Sequence, residues 1–578
     1  MKIRPWTIEH TLYLLAFLLG LGVRLWNLGV TPLSDFEAVP ALQALQLTRG
    51  GHPVLSPQPL YLMWTALSFL LLGASNGLAR LLPALAGSAL PLLPLFFRRV
   101  RGFNPTAGVI LAFGLALDPG LVASSRVAGG PMLALVFSLF ALGFVYIRQA
   151  PLAGVFCGLA LLSGIPVVPG ILGLFLAWAA IQLLNRSKTL ASPQAEDTPA
   201  TPVRPGGELL RVGLLSAVGT LLVVGTGFLL VPQGIAALAD TLSSYLKGWT
   251  KPTDIIMMAR IPAALFFYQP LALILGIVGA VRGWLKEDPL SQRLSLWALI
   301  AFVLAIAYPA RQTSDLVWAL IPLWTLAALE LSRHLSQEEE PTARLAAKGH
   351  TLGVCVLLVI GWLGLTYNRW EIVVGMLIVV VALTLLVGTG WGARAAWRGL
   401  VWGLSLGLGV GMLASMWGTS HLRLNGAEEL WSTPPATGQA DLLLSTLGDL
   451  SEWETGHRNM AEVVVVTDSA ALRWALHDFS QARFISQIPS GETPPILITH
   501  LYQASPAVSV VYRGQDFIWR IYPGWQGVIP SEWARWMAFR QAPLVQEQVI
   551  VWARTDVFPG GVLETMPVET TTDQGTTP

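Results

Sequence analysis

The chain has 578 residues, 53% of them hydrophobic and 12% charged, about half the charge fraction of a soluble domain, and its mean hydropathy is +0.59. A net charge of +2 gives nucleic acid no electrostatic reason to bind. The two cysteines, Cys157 and Cys355, both lie in apolar runs, which excludes a disulfide framework and a cysteine metal cluster.

That composition belongs to an integral membrane protein of many spans. The opening "MKIRPW" leads into an apolar run that reaches Gly29 with no small-residue cleavage site, so the first span reads as uncleaved. Stretches of roughly 20 apolar residues fall at 10–29, 80–97, 105–122, 131–147, 152–165, 166–184, 209–231, 262–281, 294–308, 316–331, 351–367, 371–391 and 399–417. They predict a polytopic α-helical protein with about 13 transmembrane helices. The pair 152–165 and 166–184 breaks at "SGIPVVPG" and reads as a tight helical hairpin. The run 59–73, "PLYLMWTALSFLLLG", is short for a span and reads as an interfacial or re-entrant helix.

Cations set the orientation. With the N-terminus cytoplasmic, "FFRRVRG", "VRGWLKEDPLSQR", "LSRHLSQEEEPTARLAAKG" and "GARAAWRG" all fall on the inner side. The first outer loop is then 30–79, and the Pro- and Thr-rich stretch 185–207 reads as a disordered cytoplasmic linker. The outer loop 232–261, with Lys247, Lys251, Asp254 and Arg260, reads as a solvated loop or a mobile lid. Residues 1–417 form the transmembrane domain, and residues 418–578 form an extracytoplasmic α/β domain with a disordered tail from about 565. There "EVVVVTD", "PPILITH", "AVSVVYRG", "DFIWRIY" and "EQVIVWARTD" read as strands, the third and fourth pairing as a hairpin. "SAALRWALHDF", capped at Ser469, and "SEWARWMAF" read as helices.

The carboxylates Asp35 and Glu37 in "TPLSDFEAVPALQAL" lie just beyond the first span. Two readings apply. Ser34 and Glu37 have capping-box spacing, although Pro40 removes a hydrogen bond from the second turn. Alternatively, a carboxylate at the membrane boundary serves as a base for an acceptor hydroxyl, or holds a divalent metal on a phosphate. Asp35 and Glu37 are the only candidate ligands for such an ion, Mg or Mn. Arg126, at the outer end of the third span, reads either as a phosphate clamp or as an interfacial arginine, and Arg80 as an interfacial anchor. The histidines lack metal-ligand spacing. No GxGxxG, Walker or GxSxG motif is present.

The order "SDFEAVPALQAL", "PQPLYLMWTALSFLLLG", "LARLLPALAGSALPLLPLFFRRVRG" and "ALDPGLVASSRVAGGPMLALVFSLFAL" resembles the GT-C superfamily of membrane glycosyltransferases, which includes protein O-mannosyltransferases and lipid A aminoarabinose transferases. The resemblance covers roughly residues 10–335. The later "ALRWALHDF" and "SEWARWMAFRQ…EQVIVWARTD" are similar to the outer domain of a GT-C-like group associated with sugar-lipid flipping and N-glycosylation. The family's Asp-Glu dipeptide is split here as Asp35-Phe36-Glu37, and Gln58 stands where a His usually precedes the Pro-Leu-Tyr run.

The resemblance implies transfer of a sugar from a polyprenyl-phosphate carrier to a hydroxyl on a glycan, lipid or protein, outside the cytoplasmic membrane. It implies catalysis by Asp35 and Glu37, phosphate or substrate binding by Arg126, Arg311, Tyr61 and Arg80, and support from Asp118 and Asp315. The plainer reading of Arg311 is an ion pair with Asp315 one turn on. Other functional readings are a non-catalytic GT-C-like component of sugar-lipid flipping and a transporter. No inverted repeat favours the transporter.

Overall fold

The computed structural model describes residues 7–191, 207–335, 340–420, 422, 428–431, 436–489, 491–501 and 510–564. Of the linker expected to be disordered at 185–207, residues 185–191 instead continue a helix, and 192–206, like the tail expected from about 565, lie outside the described residues. The chain divides into two compact units. The first comprises 1–30, 43–433 and 524–543, and the second 31–42, 434–523 and 544–578.

The first unit is helical. In chain order come α1 (Ile8–Leu25), α2 (Asp35–Thr48, whose first residues belong to the second unit), α3 (Pro59–Leu72) and α4 (Asn76–Ser88), which continues into a 3-10 segment at Leu90–Phe97. Next come α5 (Pro105–Leu117), α6 (Pro119–Ser125), α7 (Met132–Tyr146), α8 (Ala150–Leu161), α9 (Val167–Ala191) and α10 (Gly207–Gly225). They are followed by α11 (Gln233–Trp249), α12 (Ile255–Tyr268), α13 (Pro270–Leu285), α14 (Pro289–Ala307), α15 (Val317–Leu335), α16 (Pro341–Thr366), α17 (Trp370–Trp391) and α18 (Ala393–Thr419). Among the described residues, nine helices are long and apolar enough to cross a membrane, or eleven if each of two bent pairs is one span. This is a multi-pass membrane protein. The other two predicted spans are the shorter apolar helices α7 and α8, of 15 and 12 residues.

The bends have local causes. At Asp118 the chain turns 53° between α5 and α6. Pro119 has no amide to give Leu115 O, and Asp118 Oδ1 instead accepts from Leu121 N at 2.8 Å, starting a new helix. Arg24, fully buried, supplies the missing donors: its Nη2 donates to Leu115 O at 3.1 Å and its Nη1 to Ala116 O at 2.9 Å. A charge inside an apolar span is thus satisfied by the carbonyls that a proline has left open.

One loop reading is corrected. Much of 232–261 is helical rather than a solvated loop or lid. In α11, Ala237, Thr241, Tyr245 and Gly248 recur every three or four residues and are buried, which makes one packed face. Asp254 caps α12 through Ile256 N and Met257 N at 2.9 and 3.1 Å.

The second unit carries one mixed six-stranded sheet. Its elements are β1 (Ala436–Thr437), α19 (Ala440–Thr455), β2 (Val463–Val465), α20 (Ala470–Ala475), β3 (Ala482–Phe484), β4 (Ile496–His500), β5 (Tyr512–Pro523) and β6 (Leu544–Arg554), in the spatial order β1-β5-β6-β4-β2-β3. Helix α21 (Trp533–Phe539), between β5 and β6 in the chain, belongs to the first unit. Strand β2 is parallel to β3 and β4, while β4–β6, β5–β6 and β1–β5 are antiparallel. The unbroken "VVVV" reflects burial on both faces: Val463 and Val465 pack in the main core with Leu443, Leu447 and Trp519, and Val464 packs with Leu497 behind the sheet. The hairpin expected from "AVSVVYRG" and "DFIWRIY" does not form. "YRG" and "DFIWRIY" run on as the single strand β5, which pairs with β6.

Candidate active site

Asp35 opens α2 directly beyond the first span, and its carboxylate sits in a polar cluster of the second unit. Oδ2 lies 2.6 Å from Arg520 Nη1. Oδ1 accepts from Ser469 Oγ at 3.0 Å and from Ala471 N at 2.8 Å. Arg520, 8% exposed on β5, also donates through Nη1 to Tyr522 Oη at 3.2 Å and through Nη2 to Ser469 Oγ at 2.5 Å. Tyr522 Oη in turn donates to Glu547 Oε2 at 2.8 Å. His500 Nδ1 lies 3.7 Å from Glu547 Oε1, and His500 Nε2 is 2.7 Å from Thr467 Oγ1. Thr467, Ser469 and His500 thus cluster at or just past the carboxyl ends of the parallel strands β2 and β4, the edge at which open α/β sheets commonly bind ligands.

Burial alone would push the Asp35 carboxyl up. The hydrogen bonds from Arg520, Ala471 and Ser469, with the Arg520 charge, outweigh it and hold the carboxyl below the usual range. Asp35 is therefore ionised at neutral pH, and its side chain is 43% exposed.

Glu37 has a different task. Its Oε2 accepts from Ser34 N and Ser34 Oγ, both at 3.1 Å, while Glu37 N donates to Ser34 Oγ at 3.4 Å. That is the capping box, formed despite Pro40, and Glu37 is 1% exposed. Asp35 is thus held by Arg520 and Glu37 by Ser34. Among the described residues no group of three or more His, Cys, Asp or Glu could hold a metal ion.

The other expected site residues are held by backbone or by neighbours. Arg126 Nη1 donates to the carbonyls of Val23, Arg24 and Trp26 at 2.7–3.0 Å, and Nη2 to that of Asn27 at 3.3 Å. Arg80 Nη1 reaches Leu28 O at 3.3 Å. Both guanidinium groups thus hold carbonyls at and just past the end of α1. Tyr61 is fully buried and donates to Ala79 O at 2.9 Å. Besides capping α6, Asp118 accepts from Trp324 Nε1 at 2.8 Å.

The expected Arg311–Asp315 pair is also corrected. Arg311 donates from Nε to Tyr308 O and from Nη1 to Asp254 O, both at 2.8 Å. Asp315 closes a capping box on Gln312 N at 2.9 Å. Sequence reasoning missed Arg520, Tyr522, His500 and Glu547. The available signal was the arginine inside "DFIWRIY", since a cation in a buried strand requires a partner.

No family model and no curated protein matches the chain. Among solved structures, ArnT from Cupriavidus metallidurans bound to undecaprenyl phosphate is similar at 14% identity and a TM-score of 0.49, over 94% of this chain and 98% of that one. The same protein in the apo state matches at 16% identity and 0.46, over 82% and 85%. The Archaeoglobus fulgidus oligosaccharyltransferase in the apo form matches at 14% identity and 0.40, over 82% and 64%.

Proposed function

We propose that the protein is a membrane glycosyltransferase of the GT-C kind, which moves a sugar from a polyprenyl-phosphate carrier to a hydroxyl of a glycan, lipid or protein. Its N-terminus lies in the cytoplasm, and the sheet unit lies outside the cytoplasmic membrane. The observation that carries the reading is the half-exposed, ionised Asp35, fixed by Arg520 and α20 directly after the first span.

In this reading Asp35 orients the acceptor hydroxyl and takes its proton. The acceptor oxygen forms a bond to the anomeric carbon, the bond from that carbon to the phosphate oxygen breaks, and polyprenyl phosphate leaves with the electron pair. A carboxylate with a depressed pKa is a modest base, so its contribution is chiefly alignment and electrostatic. An apolar groove of about 650 Å³ in the helical unit, walled by Leu60, Trp64, Leu67 and Val231 and edged by Thr48 and His52, offers room for the carrier's hydrocarbon chain.

A second reading, a non-catalytic component of sugar-lipid handling, is favoured by one observation: both oxygens of Asp35 already have partners. One experiment separates the two. Purified protein in lipid nanodiscs is given a radiolabelled polyprenyl-phosphate sugar and acceptor lipids, with and without a divalent cation. Transfer or hydrolysis that Asp35→Asn abolishes supports the enzyme. Absence of turnover under all conditions refutes it.

A further inference from the structure

A recess lies elsewhere on the second unit, on the sheet face that packs against α19. Strand β1 meets β5 only at Ile521 and Arg520. Among the described residues, the Tyr512–Phe517 half of β5 therefore has a strand partner on one side only, β6. Between this part of the sheet and α19 the recess encloses about 310 Å³. That is at the lower end of the range for small-molecule sites, roughly 300–1,000 Å³.

The walls are of two kinds. Trp453, on the last turn of α19, is 51% exposed, and its ring centroid is 6.0 Å from that of Phe558. Its indole supplies a flat apolar face in the lining of the recess. Around this aromatic corner stand Thr446, Asp449, Arg513 and Gln515. The Arg513 guanidinium rests 5.0 Å from the centre of the Phe558 ring, and Asp449 Oδ1 accepts from Arg458 at 2.8 Å. An open aromatic face beside donors and acceptors of both signs fits a pyranose, which has one face of C–H bonds and a rim of hydroxyls. A purely apolar ligand would cover Asp449 and Arg513 without offering either a hydrogen bond.

We propose that this recess binds one hexopyranose unit of a glycan, with its C–H face on Trp453 and its hydroxyls toward Asp449, Arg513 and Gln515. The inference does not rest on the chemistry assigned to Asp35. Binding here survives if the protein transfers no sugar, and fails independently of it.

The test uses the full chain in sugar-free lipid nanodiscs, because glycoside detergents would compete. Methyl glycosides of glucose, galactose, mannose and N-acetylglucosamine are each titrated to about 20 mM, a range that captures weak, millimolar binding, and read by saturation-transfer NMR. At least one should receive saturation at its ring protons. Trp453→Ala should weaken it by about tenfold, the scale of one lost aromatic contact, while Trp453→Phe holds affinity within about threefold. Arg513→Ala, an exposed strand position, should weaken binding without altering the melting temperature. Asp35→Asn should leave binding unchanged. No saturation transfer to any of the four, or binding indifferent to both Trp453→Ala and Arg513→Ala, overturns the proposal. So does a Trp453-dependent signal from an unglycosylated extended peptide alone, which would mark the open edge of β5 as a strand-pairing surface.

Discussion

Replacing Asp35 by Asn distinguishes an ionic latch from a proton acceptor. Arg520 Nη1 lies 2.6 Å from Asp35 Oδ2, with the arginine side chain 10% exposed and the aspartate 43%. A hydrogen bond to a charged partner contributes about 1.5–3 kcal/mol, and the open side of Asp35 screens this to about 1–2 kcal/mol. For a unit of this size that is roughly 4–8 °C of melting temperature. The folded pKa of Asp35 is depressed, so the stability it contributes is fully present above the unfolded-state value of about 3.9 and is lost as pH falls through the lower folded value. Thermal melts in nanodiscs should then show a constant gap between wild type and Asp35→Asn from about pH 5 upward, closing below about pH 4. Turnover adds the second axis. Losing a base or aligning carboxylate lowers the rate by about 10²–10⁴. Arg520→Gln breaks the same ion pair but keeps the carboxylate, so it should cost similar stability and leave turnover within about tenfold. Equal losses of activity in the two variants, in step with their losses of stability, would refute a catalytic Asp35. Parallel melting curves at every pH would refute the latch.

Arg126→Met takes the donor from the carbonyls of Val23, Arg24 and Trp26, while Asn27 O keeps Val30 N, and should cost about 2–4 kcal/mol, seen as poor yield and a lower melting point; a normally folded but inactive protein would assign Arg126 to phosphate binding. Arg311→Lys loses the two-pronged link to Tyr308 O and Asp254 O and should lower the melting temperature while turnover stays within about threefold; a large loss of activity at normal stability contradicts that. With Cys157 and Cys355 replaced, cysteines at Asp35 and Ser445 should react with an impermeant maleimide from one side of the membrane and a cysteine at position 195 from the other, and labelling of 35 and 445 from opposite sides refutes the proposed orientation.

The helical architecture was legible because a bilayer imposes length and apolarity on every span. Each predicted span meets a helix, although 105–122 and 262–281 run across bends of 53° and 93°. Helices α7 and α8, of 15 and 12 residues, are shorter than the other helices on which predicted spans fall whole. Helix α11 escaped notice because its buried face uses Ala237, Thr241 and Gly248, which carry almost no hydropathy signal. At the site, the capping box of Ser34 and Glu37 could be read from spacing alone, since it is local. The partners of Asp35 could not. Arg520 lies hundreds of residues away in sequence, and only the pairing of β5 beside β6 brings it to α2. The arginines 80 and 126 show a related limit. Charge type suggested phosphate, whereas the structure sets both against carbonyls at and just past the end of α1.

The exchange of segments between the two units bears on how the protein can be cut. The boundary is crossed at Val30–Thr31, Leu42–Gln43, Thr433–Pro434, Pro523–Gly524 and Pro543–Leu544. A secreted fragment beginning after the last span would lack Thr31–Leu42, and with it the carboxylate that neutralises Arg520. It would also carry Gly524–Pro543 without the helices that segment packs on, exposing Trp536 and Trp525. Such a fragment should aggregate. A soluble version needs the twelve residues Thr31–Leu42 grafted back through a linker and the 524–543 excursion replaced by a short turn. The same interleaving makes Thr31–Leu42 wait for a sheet synthesised about 400 residues later, so ribosome-bound chains should gain protease resistance in the sheet only after β6, which joins β4 to β5, has emerged.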